Sequence, residues 1–302
     1  MAEFFIEIGS EEIPSSYIEP ALNYMKEEIS SFFSRNRIEA ETPKIMGTPR
    51  RLVVSVKSVT TMQKDSVDEF LGPGVSVAYD EKGQPTKAAI GFARGKGLDV
   101  ANLTRKQTPK GEVVCALIEN KGRSTSSLLN EYLPQLIHEI PFQKKMRWAN
   151  NSLPFARPLH WVAALFDGKA LEFEFDGIAN NIVSRGHRFL KPEQFQINGI
   201  ESYLKECEKH FLMIDPATRK ASILEQVQDL AKQAGGYIKE DGDLLNLVNF
   251  LVEYPVAIKG NFDPGFLELP KELLVISMKY HQKYFPVWDK KDNLLPCFIT
   301  VS

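Results

Sequence analysis

The hydrophobic positions near the amino terminus change their spacing within the first 35 residues. Residues 4–8 form a short apolar run of strand-forming side chains that ends at Gly9. Beyond Pro14 the apolar residues recur every three or four positions, which places them on one face of a helix. The pattern predicts a strand followed by an amphipathic helix that packs on a sheet. Glu11 and Glu12 are expected in the first helical turn, where the helix dipole favours acidic side chains.

The next apolar runs predict two strands joined by a turn. Residues 38–46 and 51–59 are strand candidates, and the second is the stronger because it is rich in valine. Gly47-Thr48-Pro49 lies between them and breaks any helix.

A second helix and a hairpin complete this part of the chain. Residues 124–140 carry leucine, isoleucine and tyrosine on one side, as an amphipathic helix does. Residues 161–166 and 170–175 predict a hairpin closed by Asp167-Gly168. The order strand, helix, strand, strand, helix, strand is that of a ferredoxin-like βαββαβ unit. We therefore predict an α+β fold with a split ferredoxin-like core over residues 1–60 and 124–189.

Residues 61–123 differ in amino-acid composition from the segments on either side. They contain Gly72-Pro73-Gly74, Gly83-Gln84-Pro85 and the glycines at 91, 95 and 97, so we interpret them as an inserted Gly/Pro-rich subdomain. Gly91, Gly95 and Gly97 match neither the Walker loop nor the dinucleotide fingerprint, and tight turns are the expected reason for them.

Residues 190–302 predict a second, mixed α/β domain. Asn198 is the expected cap of one helix, and Asp215-Pro216 opens a longer one that stops at Gly235-Gly236. Residues 211–214 and 297–301 are strand candidates. An apolar strand at the end of the sequence needs a partner or a following connection, so we expect the domain to be truncated at its carboxyl end.

The amino-acid composition excludes some classes of function and of cellular location. With 43% hydrophobic and 25% charged residues, the composition is ordinary for a globular protein. The net charge of −2 excludes a strongly basic protein that binds RNA over its whole surface. Three scattered cysteines without metal-ligand spacing suit a reducing compartment. The acidic amino terminus lacks the features of a signal peptide, and no apolar run has membrane-spanning length. A cytoplasmic location without a membrane partner is therefore expected.

Arginine and aromatic residues are concentrated between residues 143 and 189. Arginine offers a rigid fork of donors to phosphate, and aromatic rings offer surfaces on which bases stack. We predict RNA contact by eight residues of this stretch: Lys144, Lys145, Arg147, Trp148, Arg157, Arg185, His187 and Arg188. The alternative stays open that arginine beside proline and tryptophan packs a loop onto the core.

The same stretch carries motifs of a known family. They are Lys145-Met146-Arg147-Trp148, Arg157-Pro158 and Gly186-His187-Arg188-Phe189, with others at residues 8–14, 47–52, 91–94 and 281–286. In order and spacing, these motifs make the chain resemble the beta subunit of bacterial glycyl-tRNA synthetase. The resemblance covers the whole chain, and because the family subunit is longer, it implies that this is an amino-terminal part.

The resemblance carries expectations about function. In that enzyme the alpha subunit forms the adenylate with ATP and Mg, and the beta subunit mainly handles tRNA. The resemblance thus implies an alpha2beta2 tetramer that acts on tRNA(Gly), with no catalytic residue, cofactor or metal in this chain. The residues agree in one respect, because no Walker loop, dinucleotide fingerprint or His-Glu-x-x-His pattern is present.

Two alternatives from other classes remain. An RNA-processing or editing hydrolase needs a nucleophile or metal cluster, which the sequence does not assemble. A purely structural assembly subunit needs an apolar docking surface. Of the histidines, His281 is expected near the end of a helix, and His187 is expected to be neutral because Arg185 and Arg188 flank it.

Overall fold

The computed structural model describes residues 2–148 and 153–302. Within these ranges the chain forms two compact units. The larger takes the residues up to Arg35 together with Glu39–Thr61 and Ser126–Ser302, and the smaller takes Asn36–Ile38 and Met62–Thr125.

The first elements of the larger unit follow the predicted strand and helix pattern. They are β1 (Ala2–Ser10), α1 (Ser15–Arg35), β2 (Lys44–Thr48) and β3 (Arg51–Val59). Strand β2 begins later than the sequence predicts, directly after Pro43, which has no amide to donate to a ladder.

The smaller unit has its own sheet and its own core. Its elements are β4 (Ser66–Gly74), α2 (Val75–Ala78), α3 (Lys87–Gly95), a 3-10 turn (Val100–Asn102), β5 (Thr104–Thr108) and β6 (Gly111–Asn120). The strands are antiparallel in the order β4-β6-β5. Ala78, Ala89 and Val114 form the buried centre between this sheet and the helices.

The larger unit resumes with a helix and a series of short strands. These are α4 (Thr125–Glu139), β7 (Leu159–Phe166), β8 (Lys169–Ala170), β9 (Glu174–Phe175), β10 (Ile178–Ala179), β11 (Val183–Arg185) and β12 (Gln194–Gln196). The predicted hairpin forms at Asp167-Gly168, where both residues have positive φ (53° and 72°). Its second strand is shorter than predicted, because β9 pairs with β10 instead.

The carboxyl-terminal elements alternate between helix and strand. They are α5 (Ile200–Lys209), α6 (Pro216–Gln233), β13 (Tyr237–Ile238), α7 (Gly242–Asn249), β14 (Ala257–Asn261), a 3-10 turn (Pro264–Glu268), α8 (Lys271–Ile276), a π-helical turn (Ser277–Gln282), β15 (Phe285–Trp288) and β16 (Leu294–Val301). Together with the three earlier groups they confirm a mixed α and β fold.

The main sheet of the larger unit has the order β2-β3-β1-β7-β8, and all its neighbours are antiparallel. Strand β1 therefore lies between two partners and is buried on both faces. Phe4 points toward α1, where it meets Phe33 edge to face. The ferredoxin-like description stays a prediction; the structure gives the strand order and directions.

The opposite face of this sheet packs against a later part of the chain. Phe5, Val53 and Leu165 share one buried cluster with Phe195 and Tyr203. This core crosses residue 190, where the sequence analysis places a domain boundary. That boundary stays a prediction, and any test of it has to account for the shared core.

A second sheet, in the order β13-β15-β16-β14, forms the other core of the larger unit. Ile223 and Val227 of α6 pack on it with Leu244 of α7. Helix α6 begins as predicted, since the Asp215 carboxylate accepts from the amides of Ala217 and Thr218.

Two local predictions in this region are wrong. Residues 211–214 are not a strand; their backbone makes single hydrogen bonds, from Met213 to Glu253 and from Gly47 to Ile214. Gly199 and not Asn198 occupies the cap position of α5.

No helix in the described ranges is both long enough and apolar enough to cross a bilayer.

Candidate nucleic-acid interface

Three motif segments meet where β1 ends. The amide of Ser10 donates to the carbonyl oxygen of Arg50 (3.0 Å), which joins the end of β1 to the turn between β2 and β3. The amide of Glu11 donates to the carbonyl oxygen of Pro158 (2.9 Å), which brings in the segment before β7. Backbone hydrogen bonds thus hold together segments that are far apart in sequence.

Arg51 joins the fourth segment to the other three. Its Nη1 donates to the carbonyl oxygen of Arg185 (2.6 Å) and to the carboxylate of Glu7 (3.1 Å), which also accepts from Ser184 (3.0 Å). Its Nε donates to the carboxylate of Glu253 (2.8 Å). Because Arg51 is completely buried, these partners satisfy a charge that would otherwise be costly to bury.

Four arginines meet at this end of β1, and we name them the arginine cluster: Arg50, Arg51, Arg185 and Arg188. Two of the four belong to the predicted RNA-binding set. The other two lie in the motif of residues 47–52, which the sequence analysis used only for the family resemblance and not for a site. Nothing in the sequence indicates that Arg50 and Arg51 are buried, because arginine is usually an exposed residue.

The pKa values of Glu7 and Glu253, the two buried glutamates that contact the arginine cluster, are shifted in opposite directions. Burial raises the pKa of Glu7 by more than Arg51 and Ser184 lower it. Burial also acts to raise the pKa of Glu253, but the charge of Arg51 and hydrogen bonds from Arg51 and Thr48 outweigh burial and hold this pKa below its usual value. Of the two carboxylates, Glu253 contributes more than Glu7 to stabilising the charge of Arg51, whose pKa is raised.

Trp161 forms the apolar support of the cluster. The guanidinium carbons of Arg51 and Arg185 lie 5.4 and 5.2 Å from the centre of its ring, within the range of cation–π contact. The ring packs so closely over β1 that a Cβ at position 9 would lie 2.0 Å from it. Gly9 is therefore required by this contact. Arg185 belongs to the predicted RNA-binding set, and its guanidinium is in contact with protein.

Arg188 lies at the rim of the cluster, half exposed. Its Nη2 donates to both carboxylate oxygens of Glu11 (2.9 and 2.8 Å), and the ring of His160 lies 2.7 Å from the same carboxylate. Glu11 precedes α1 and is not in its first turn, so the helix-dipole interpretation is wrong for this residue. Burial opposes ionisation of Glu11, but the His160 hydrogen bond and the Arg188 charge together lower its pKa.

His187 is held as a neutral acceptor. Its Nδ1 accepts from the amides of Phe189 (3.3 Å) and Leu190 (3.2 Å). Burial lowers its pKa; the charge of Glu253 opposes this effect, and the charges of Arg51 and Arg50 add to it. Like charge contributes as the sequence predicts, although it comes from residues distant in sequence and not from the flanking arginines.

Unlike Arg51 and Arg188, Arg50 has no acceptor for its guanidinium within the described residues. Its side chain is only 7% exposed, its Nε is buried without an acceptor, and within residues 2–148 and 153–302 its guanidinium makes no hydrogen bond or ion pair. Burial lowers its pKa, and Arg188 and Arg51 add to this effect while Glu253 opposes it. The Glu253 carboxylate already accepts from Arg51 and Thr48.

The remaining predicted residues lie in and beside the loop that follows α4. Lys145 donates to the carbonyl oxygen of His138 (2.9 Å) at the end of that helix, and burial lowers its pKa. Lys144 and Arg147 are exposed, whereas Trp148 and Arg157 are half-buried. The guanidinium of Arg157 donates to the neighbouring carbonyl oxygen of residue 156 (2.9 Å), as expected for a side chain that holds a loop.

This loop is tied to the segment before β7. Met146 and Phe155 exchange backbone hydrogen bonds of 2.7 and 3.1 Å, and the ring of Phe155 meets that of Phe142 at 4.7 Å. Phe155 is buried, so the aromatic side chains here belong to the core as well as to the surface. The predicted RNA contacts remain predictions, because the structure fixes only where these side chains lie.

No group of three or more His, Cys, Asp or Glu side chains in the described part of the chain is arranged to hold a metal ion.

Comparison with known proteins gives a consistent result. The model of the family described as "Glycyl-tRNA synthetase beta subunit" matches residues 4–302. The glycine–tRNA ligase beta subunit of Geobacter sp. (strain M21) is 47% identical over 300 residues, which are 99% of this chain and 44% of the relative. That of Syntrophotalea carbinolica is 44% identical over 301 residues, again 44% of the relative.

The chain therefore spans less than half the length of these relatives, while nearly all of it aligns with them. A match over nearly the whole chain at this identity, together with the four motif segments that meet at the end of β1, leads to one conclusion: the chain belongs to the glycyl-tRNA synthetase beta subunit family.

Proposed function

We propose that this chain is the tRNA-binding, non-catalytic part of the beta subunit of a heterotetrameric glycine–tRNA ligase. The observation that carries the proposal is that family motifs from four segments meet at one end of β1, where Arg51 and Arg185 of the arginine cluster lie against Trp161. A cation-rich surface supported by aromatic rings has the chemistry that phosphates and bases require.

The remaining steps of the reaction belong, in this proposal, to other chains. The alpha subunit uses ATP and Mg to activate glycine and attaches it to tRNA(Gly), and the two kinds of subunit form an alpha2beta2 tetramer. A cytoplasmic location follows from this role. The three buried free cysteines, Cys115, Cys207 and Cys297, are compatible with it.

Binding of a tRNA(Gly) transcript by the purified chain tests the proposal. Affinity measured over a series of salt concentrations should fall steeply with salt, because bound phosphates release counterions. A tRNA of another specificity in the same assay shows how much of the binding depends on sequence. Absence of salt-sensitive binding to any tRNA would overturn the proposal for this chain.

Arg147 offers the clearest single-residue test, because it is exposed. Arg147→Ala should lower the salt slope by about one unit and leave the thermal melt unchanged if Arg147 meets a phosphate. Arg157→Ala is the matched variant, because its guanidinium holds a loop carbonyl. We expect Arg157→Ala to lower the melting temperature. An unchanged salt slope for Arg147→Ala would remove that residue from the interface.

The alternatives give different results in parallel assays. An RNA-processing or editing hydrolase would cleave the transcript or release glycine from glycyl-tRNA(Gly). A structural assembly subunit would bind the alpha subunit and no tRNA. Glycine-dependent ATP–pyrophosphate exchange by the purified chain alone would contradict its non-catalytic role.

A further inference from the structure

A buried arginine without an acceptor is unusual, because a buried charge is normally paired. Arg50 is more than nine-tenths buried, and two hydrogen bonds fix its backbone: its amide donates to Thr48 Oγ1 (3.2 Å), and its carbonyl accepts from Ser10 (3.0 Å). The position of the side chain is thus set by the turn between β2 and β3. The fold places a cation there, and the part of the chain that the structure describes supplies no anion at hydrogen-bond distance.

The nearby carboxylates are already occupied by other donors. Glu253 accepts from Arg51 and Thr48, and Glu11 accepts from Arg188 and interacts with His160. Glu12 lies 3.7 Å from Nη1 of Arg188 and is largely exposed. Within residues 2–148 and 153–302, Arg50 is therefore left without a carboxylate partner after these ion pairs have formed.

Arg188 supplies a second set of donors at the same place. Only its Nη2 is used in hydrogen bonds to Glu11, so within the described residues Nη1 and Nε have no acceptor at hydrogen-bond distance. Its side chain is 38% exposed. A guanidinium can hold a carboxylate with one edge and a phosphate oxygen with another, because its donors point in several directions.

An exposed aromatic residue belongs to the same chain segment as Arg188. Phe189 follows Arg188 in the chain and is 81% exposed, and its ring centre lies 6.4 Å from that of His187. Proteins that bind single-stranded nucleic acid combine exposed aromatic rings, on which bases stack, with cationic side chains that bind the phosphates. A carboxylate from a protein partner would use the arginines but would have no use for the stacking surface.

From these contacts we propose that Arg50 and Arg188 bind one backbone phosphate of a bound RNA strand, with a base of that strand stacked on Phe189. This inference rests on the proposed tRNA-binding function and adds to it a particular phosphate site, centred on a residue outside the predicted set. The lowered pKa of Arg50, caused first by burial, agrees with a site that gains stability when an anion arrives.

The test uses Arg50→Met, which keeps the apolar stem and removes the charge. Affinity for a tRNA(Gly) transcript should fall about tenfold, and the salt slope should decrease by about one unit. The unfolding midpoint in urea should stay constant or rise, because the variant no longer buries an unpaired charge. Phe189→Ala should weaken binding without changing the salt slope, because it removes stacking and no phosphate contact.

Arg35→Met is the matched control. Arg35 lies at the end of α1 with its side chain 62% exposed, and its charge is the same as that of Arg50. If both variants lose affinity equally, the effect comes from net charge and the site is refuted. A lowered urea midpoint for Arg50→Met with an unchanged salt slope would show a structural role and also refute it.

Comparing tRNA binding by the wild type and by Arg50→Met separates failure of this inference from failure of the proposed function. Wild-type binding of tRNA that Arg50→Met leaves unchanged would refute the phosphate site and leave the proposed function standing. No binding of tRNA by the wild type would refute both. If inorganic phosphate nonetheless raised the wild-type melting temperature above that in chloride of equal ionic strength, and Arg50→Met abolished the rise, the site would accept an anion from a source other than RNA.

Discussion

Nε of Arg51 lies 2.8 Å from a carboxylate oxygen of Glu253, although 202 positions separate the two residues in the sequence. Both side chains are buried, and the contact joins the start of β3 to the segment that follows α7. The pair is thus a link between the main sheet of the larger unit and its carboxyl-terminal half. It also sets the position of the arginine cluster, because the same guanidinium holds the carbonyl oxygen of Arg185.

Removing the charge at Arg51 should destabilise the larger unit strongly. Arg51→Met leaves Glu253 and Glu7 buried without their cation, and the expected loss is about 3–5 kcal/mol in the free energy of unfolding. Urea titration measures it. Arg51→Lys should recover only part of the loss, because an ammonium group cannot reach both carboxylates and the carbonyl oxygens as the planar fork does. Wild-type stability in Arg51→Met would show that the network contributes little.

The two buried glutamates should respond oppositely to pH. The pKa of Glu253 is lowered in the folded state, so its stabilising contribution is present above its ordinary value of 4.5 and is lost as the pH falls through the folded pKa. The pKa of Glu7 is raised, so its contribution is complete below 4.5 and is lost as the pH rises through the folded pKa.

Glutamine variants at the two positions test this difference. Relative to wild type, Glu253→Gln should become less destabilising as the pH falls below 4.5, whereas Glu7→Gln should become more favourable as the pH rises above it. The free energy of unfolding in urea, measured from about pH 3.5 to about pH 8, gives both curves. Parallel curves for the two variants would contradict the assignment of opposite shifts.

A methyl group at position 9 should disturb the support of the cluster. In Gly9→Ala the new Cβ would lie 2.0 Å from the ring of Trp161, so the ring has to move, at a cost of about 1–3 kcal/mol. Trp161 fluorescence should change together with the urea midpoint. Gly242→Ala is the control in the same unit, because a Cβ there meets nothing within 4 Å and the helical backbone accepts alanine. We expect the control to gain about 0.4–1 kcal/mol.

The smaller unit should be removable. Its sheet and its buried centre are formed entirely within residues 62–125. Joining residue 61 to residue 126 through a short flexible linker should therefore leave the larger unit folded. A single cooperative transition in circular dichroism, with the helical signal expected for the remaining residues, is the predicted result. Loss of the cooperative transition would place the segment within the main folding unit and contradict the inserted-subdomain prediction.

Local patterns in the sequence were sufficient for much of the secondary structure. The apolar spacing of β1 and α1, the start of α6 at Asp215-Pro216 and the turn at Asp167-Gly168 were predicted because each depends on residues only a few positions apart. The motifs themselves indicated the family. The prediction of a strand at residues 211–214 was wrong. An apolar run indicates that a segment is buried, but it does not indicate whether a partner strand lies beside it.

Only the tertiary structure decided which charges belong together. Nothing near Glu253 in the sequence indicates that it meets Arg51, and nothing near Arg50 shows that it is buried without an acceptor while Arg188 pairs with Glu11. Residue type and spacing determine what a side chain is able to bind, since they act over a few positions. Burial and pairing depend on which distant segments the fold brings together, and they decide whether the charge of a given arginine is satisfied within the protein.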